Sequence, residues 1–313
     1  MSLYDRLFKP RRYTLPNGAV VEEKRSRAPL VILIVLALGL ITSLRTPQNT
    51  KIYARDGLAI VALVWVLMSV FGALPFVISG EIPSFVDAFF ETVSGFTTTG
   101  STILTDVEAL SHGTLFWRSF SHWVGGMGVL VFAMAVLPMT DGRAMHLMRA
   151  EVPGPTVGKL VPRIRKTASI LYLLYIALTL VEMVLLIAGG MSFYDALLHA
   201  FATAGTGGLS TRALSIGYYN SAYIDIVVGV FMILFGANFS LLGNIRTALR
   251  NEELRWFLGV IAFSVITIAF DIRNLYGGVG HALRYSFFQV TSIISTTGFA
   301  TADFNLWPEY SKF

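Results

Sequence analysis

The sequence predicts an all-α polytopic membrane protein built from repeated helix–pore-loop–helix units. Three observations carry that expectation. Of 313 residues, 54% are hydrophobic and 14% charged, against roughly 25% charged in an average soluble domain. The apolar residues gather in unbroken blocks rather than alternating with period two, and in lipid only helices or closed barrels satisfy their own backbone. Between these blocks a shorter apolar segment ending in Thr and Gly recurs. Cysteine is absent, which excludes disulfides and thiol catalysis. The net charge of +5 fits basic cytoplasmic loops better than a nucleic-acid footprint.

The blocks, in order, are Leu30–Leu44, which is short for a span, then Gly57–Ile78, Trp117–Pro138, Ala168–Gly189, Ala222–Leu242 and Trp256 to about Phe270. A span needs about 20 apolar residues. The loops between them alternate in charge. Arg45, Lys51 and Arg55 precede the second block, whereas residues 79–116 carry Glu81, Asp87, Glu91, Asp106 and Glu108 and no Lys or Arg. Residues 140–167 are basic again, with Arg143, Arg149, Lys159, Arg163, Arg165 and Lys166; Arg246 and Arg250 follow the fifth block. The positive-inside rule therefore places residues 45–56, 140–167 and 243–255 in the cytoplasm. The basic segment 1–28 does not fit a single span at Leu30–Leu44. Either that helix does not cross, a helix precedes it, or the rule fails there.

Each outer loop holds a segment too short to span: Phe85–Thr98, Tyr194–Thr206 and Arg284–Thr296. Such segments read as re-entrant half-helices. They are also similar to one another. Asp87, Ala88, Thr98 and Gly100 recur at a constant offset as Asp195, Ala196, Thr206 and Gly208. Phe89, Phe90, Ser94, Thr98, Thr99 and Gly100 recur as Phe287, Phe288, Ser292, Thr296, Thr297 and Gly298. Irregular backbone at membrane depth is tolerated only where it lines a cavity or is buried in protein. A half-helix ending there aims a partial negative charge at a cation, and an extended strand after it offers carbonyls in place of water. No Asp or Glu lies in the three Thr/Gly cores, so the selection expected is of a monovalent, weakly hydrated cation.

Asp87-Ala-Phe-Phe-Glu-Thr-Val-Ser-Gly-Phe-Thr-Thr-Thr-Gly100 resembles the first pore loop of the Trk/Ktr/HKT superfamily of potassium transporters. Trp123-Val-Gly-Gly-Met-Gly128, Leu137-Pro138 and Arg149-Ala-Glu-Val-Pro-Gly-Pro155 resemble the following helix and cytoplasmic loop of its TrkH branch. His199 to Ser210 and Phe288 to Asp303 resemble the second and third pore loops. The resemblance implies units arranged around a pseudo-fourfold ion pore. It implies an ion-binding filter of Thr98, Thr99, Gly100, Thr206, Gly207, Gly208, Thr296, Thr297 and Gly298, with K+ as substrate and no bound cofactor. It also implies a homodimer in the cytoplasmic (inner) membrane of a prokaryote, gated by a cytosolic nucleotide-binding subunit of the TrkA type. Gly100 fits the potassium pattern, since serine at that place marks sodium-favouring relatives.

The expected organisation is a basic segment at 1–28 and an N-terminal helix with linker at 29–55. Pore repeat 1 follows at 56–139, a cytoplasmic loop at 140–166, pore repeat 2 at 167–245 and an incomplete repeat 3 at 246–313. The family pattern has four pore loops, so the expectation is of a fragment from which the fourth repeat is absent.

Other residues are weighed against structural roles. Glu182, inside the fourth block, is a candidate pathway residue, though a buried structural carboxyl is the commoner case. Glu91 and His199 fall at equivalent positions and are expected to brace their loops. Arg118 and His122 are expected as interfacial anchors. Gly125, Gly126 and Gly128 suggest close helix packing. No nucleotide-binding or zinc-protease spacing is present, so no enzyme is expected. The function expected is passive potassium uptake through a carbonyl filter. Its rivals are a secondary carrier coupling K+ to H+ or Na+ and, more distantly, an intramembrane enzyme.

Overall fold

The computed structural model describes residues 11–14, 20–23, 54–128, 164–237 and 250–312. The expected first helix at Leu30–Leu44, the ends of the expected spans at 129–138 and 238–242, and all but the last three residues of the cytoplasmic loop expected at 140–166 lie outside these residues; residues 164–166 are helical instead. Apart from one hairpin, every regular element described is helical. The hairpin pairs β1 (Arg11–Thr14) with β2 (Val20–Glu23), and its register sets Arg11 opposite Glu23 and Arg12 opposite Glu22.

The first repeat comprises α1 (Ala54–Ser79), a half-helix α2 (Phe85–Phe96) and α3 (His112–Gly126). The second comprises α4 (Ile164–Ala188), the half-helix α5 (Phe193–Ala204) and α6 (Ala222–Gly236). The third begins with α7 (Glu252–Ile272) and the half-helix α8 (Val279–Ile294); a short α9 (Glu309–Lys312) follows. Among the described residues, three helices are long and apolar enough to cross a membrane: Ala59–Ser79, Ser169–Ala188 and Glu252–Ile272. They expose apolar stripes, such as Leu63, Val66 and Leu67 on α1 and Leu173, Leu180 and Val184 on α4. An apolar surface of this extent suits lipid rather than water.

Within each repeat the half-helix packs on the preceding long helix: α2 on α1, α5 on α4, α8 on α7. Between repeats, α3 packs on α5 and α6 on α8. Each repeat therefore hands its second helix to the next repeat's half-helix. The apolar core follows this plan. Leu186, Ala196, Val228, Met232 and Phe288 join repeats 2 and 3 in one buried cluster, and Ala73, Phe76, Ile82 and Ala88 form the core of repeat 1.

Serine caps set the helix starts. Ser84, Ser111, Ser192 and Ser221 each accept a backbone N–H of the first turn, which satisfies one of the donors a helix start leaves free. The third half-helix departs from expectation. It starts at Val279, a turn before Arg284, on a Gly278 cap without a side-chain bond. Gly277 and Gly278 just before it and Gly280 in its first turn hid the start, because glycine is a poor helix former. A second departure concerns Gly125, Gly126 and Gly128: they stand at the C-terminal end of the described α3, with Gly128 at φ 69.

Candidate functional site: three loops joined edge to edge

All three half-helices end in the same way. After the caps Thr97, Gly205 and Ser295, the residues Thr98, Thr206 and Thr296 take φ of 55, 52 and 59°. Their N–H groups donate to the carbonyls of Gly95, Thr203 and Ile293 at 3.1, 2.9 and 3.0 Å. The next N–H groups, of Thr99, Gly207 and Thr297, donate to Ser94, Ala202 and Ser292, each at 3.0 Å. This is the Schellman ending, which closes a helix and turns the chain away. Glycine normally supplies its left-handed residue. Here a β-branched residue holds it three times over, at a cost of roughly 1–2 kcal/mol each. Strain repeated at one position marks a geometry the site requires.

Two residues on, Gly100, Gly208 and Gly298 have φ of 77, 69 and 85°. Their lack of a side chain is a matter of contact as well as conformation. A β-carbon on Gly100 would collide with the carbonyl oxygen of Gly207, and one on Gly208 with that of Thr297. The loops therefore stand edge to edge in chain order, each glycine flat against a carbonyl of the next. Beside Gly298 no described atom comes within 4 Å of that position. Three of the five threonine hydroxyls are tied into their own loops: Thr99 to Thr97 at 2.8 Å, Thr297 to Ser295 at 2.7 Å, and Thr296 to the Ser295 carbonyl at 2.7 Å. Backbone carbonyls, with the threonine hydroxyl oxygens, are the groups the loops can offer a cation. The nine residues named from the sequence fall in these three loops, and the contacts above join loop 1 to loop 2 and loop 2 to loop 3.

Each loop is braced from its half-helix at one repeat position. Glu91 accepts the Thr102 hydroxyl at 2.9 and 3.0 Å and the Ile103 N–H at 3.2 Å. His199 pairs its Nε2 with Ser210 Oγ at 2.9 Å, its Nδ1 meeting the Asp195 carbonyl at 2.7 Å. Gln289 donates to the Ala302 carbonyl at 3.0 Å. Gln289 was missed in the sequence, although the repeat offset places it opposite Glu91 and His199. In the second repeat Asp195 also accepts from Thr211 at 2.8 Å and Arg212 at 3.4 Å.

Arg118 and His122 are not interfacial anchors. Arg118 is 2% exposed and donates to Glu91 at 2.7 Å, and His122 is wholly buried. Both lie at a buried inter-element seam because α3 is wedged between two half-helix ends. Gly125 abuts the Phe96 carbonyl and Gly126 the Cα of Gly205, so closely that a side chain at either would clash. Glu182 is wholly buried beside Thr203, with no partner at hydrogen-bond geometry among the described residues.

Apolar spanning helices alternating with half-helices that end in strained, mutually packed Thr/Gly loops define the pore-loop class of membrane transport protein. The sequence profile of the TrkH family, described as cation transport protein, matches residues 24–313, and the chain belongs to that family. It is 40% identical over 272 residues to the Trk system potassium uptake protein TrkH of Escherichia coli (strain K12), covering 83% of this chain and 56% of that protein. To TrkI of Halomonas elongata, also named a Trk system potassium uptake protein, it is 31% identical over 285 residues, covering 88% and 57%. The crystal structure of the potassium transporter TrkH from Vibrio parahaemolyticus superposes with a TM-score of 0.76 at 31% identity, covering 90% of this chain and 60% of that one. The chain thus spans a little over half the length of the relatives it matches.

Proposed function

We propose that this chain forms part of the pore of a potassium uptake system in a prokaryotic cytoplasmic membrane. Thr98–Gly100, Thr206–Gly208 and Thr296–Gly298 are its filter loops, and residues 56–139, 167–245 and 246–313 its pore repeats. The observation that carries this reading is the chain-order contact of the loops, Gly100 on the Gly207 carbonyl and Gly208 on the Thr297 carbonyl. Loops so joined present a row of carbonyls at fixed spacing, which can replace the water shell of a weakly hydrated cation. A homodimer and a cytosolic gating subunit of the TrkA type complete the proposed assembly.

The test is rubidium uptake by the full-length gene product in a host deficient in potassium uptake. Gly100→Ser would push into the Gly207 carbonyl. It is expected to lower uptake and raise competition by sodium at equal protein abundance. Unchanged uptake and competition would count against the filter assignment.

A second reading, a carrier coupling K+ to H+ or Na+, has one observation behind it: the wholly buried carboxyl of Glu182, which lies beside Thr203 and has no ion-pair partner among the described residues. The pore reading expects Glu182→Gln to leave the pH dependence of rubidium uptake unchanged. A flattened pH profile in that variant favours the carrier.

A further inference from the structure

The three loops have equivalent backbones but unequal support. Behind loop 1 the hydroxyls of Thr97 and Thr99 meet at 2.8 Å, and behind loop 3 those of Ser295 and Thr297 meet at 2.7 Å. These pairs bridge the helix cap to the second residue of the loop, across the strained threonine between them. Loop 2 has glycine at both places, Gly205 and Gly207, and so no hydroxyl pair.

The space is nevertheless filled. A β-carbon on Gly207 would collide with the imidazole Nδ1 of His122, and one on Gly205 with the His122 carbonyl and, at 3.1 Å, its Cβ. His122 belongs to α3, in the preceding repeat. Its side chain is wholly buried; neither ring nitrogen meets strict hydrogen-bond geometry among the described residues, but the Ser94 backbone of α2 lies beside the ring as a polar neighbour. The charged group one turn away, Arg118, is engaged with Glu91. The ring therefore lies against Gly207, whose carbonyl abuts Gly100 of loop 1.

We infer that His122 is a positioning residue for the second loop, its imidazole filling from α3 the space that paired hydroxyls occupy behind loops 1 and 3. Resting on the potassium reading above, this role extends it. The ring sets where the Gly207 carbonyl stands, and through it the seam between loops 1 and 2. Gly207 is the complement of the ring, and Gly205 that of the main chain at His122. Neither has a positive φ, Gly205 lying at φ −73°, so their lack of side chains answers to space rather than to backbone conformation.

The test uses the full-length protein with two readouts: sodium competition against rubidium uptake, and the shift in melting temperature of the purified protein on exchanging Na+ for K+. His122→Ala is expected to lose K+ preference on the order of tenfold, since a binding constellation tolerates only about 0.5 Å of drift. Its K+-induced melting shift should shrink. The decisive variant combines His122→Ala with Gly207→Thr, which returns a side chain to the space the ring fills and leaves Gly205, whose β-position faces the main-chain carbonyl of His122, unchanged. Recovery of both readouts supports the positioning role, because a merely destabilised protein would gain nothing specific to K+. His122→Ala with wild-type preference and melting shift overturns it, as does failure of the double variant to improve on His122→Ala. A wild type that transports no rubidium counts against the potassium reading itself, and the melting comparison among variants still decides the role of His122.

Discussion

Glu91 and Arg118 form the clearest single-residue dependency in the first repeat. Their side chains are 0% and 2% exposed, and Glu91 also accepts from the returning strand at Thr102 and Ile103. Removing one member of such a pair leaves an uncompensated buried charge, at roughly 3–5 kcal/mol. Glu91→Ala is therefore expected to lower thermal stability in detergent by an amount of that order. The double change Glu91→Ala with Arg118→Leu should cost clearly less than the sum of the single changes, read as a double-mutant cycle. Additive costs would mean that the two side chains act independently. From the sequence alone Glu91 reads as a brace and Arg118 as an interfacial anchor, and the second expectation fails for a physical reason. A positive charge near a helix start looks like an anchor when only its own helix is considered, and its partner lies on α2, across a loop.

At the scale of elements, helix type and order were legible and the ends were less so. Long apolar runs mark α1, α4 and α7 directly, because lipid-facing and core-facing sides are both apolar. The half-helices were found by their Thr/Gly endings, which the Schellman closures explain. The start of α8 was misplaced because glycines at its beginning carry no pattern. What no single-helix reading yields is the wedge of α3 between α2 and α5. Gly126→Leu should drive that wedge apart: its side chain would meet the Gly205 Cα and the Tyr175 hydroxyl. Overpacking of this kind costs typically 1–3 kcal/mol and can exceed that against rigid backbone. Gly259 on α7 has no described atom within 4 Å of a built β-carbon. Gly259→Ala is expected to be neutral or to stabilise by up to about 1 kcal/mol. Thermal unfolding of the two variants side by side checks the contrast, and equal melting temperatures would refute the wedge.

At the scale of the molecule, the alternation of charge along the chain assigns an orientation that the helix packing alone leaves open. The loop connecting α2 to α3 carries Asp106 and Glu108, and Glu108 reaches across to Arg212 at 3.6 Å and to the Ala213 N–H at 3.2 Å. The outer loops of repeats 1 and 2 are thus joined on one side. The positive-inside rule predicts that this side is external and that the start of α7, following Arg246 and Arg250, is cytoplasmic. The absence of cysteine makes this directly measurable. Leu214→Cys, at an exposed position between loop 2 and α6, is expected to react in intact cells with a maleimide that cannot cross the membrane. Glu252→Cys, in the exposed first turn of α7, is expected to react only after permeabilisation. The reverse pattern would invert the orientation, and with it the direction in which each half-helix points its C-terminal carbonyls toward an entering cation.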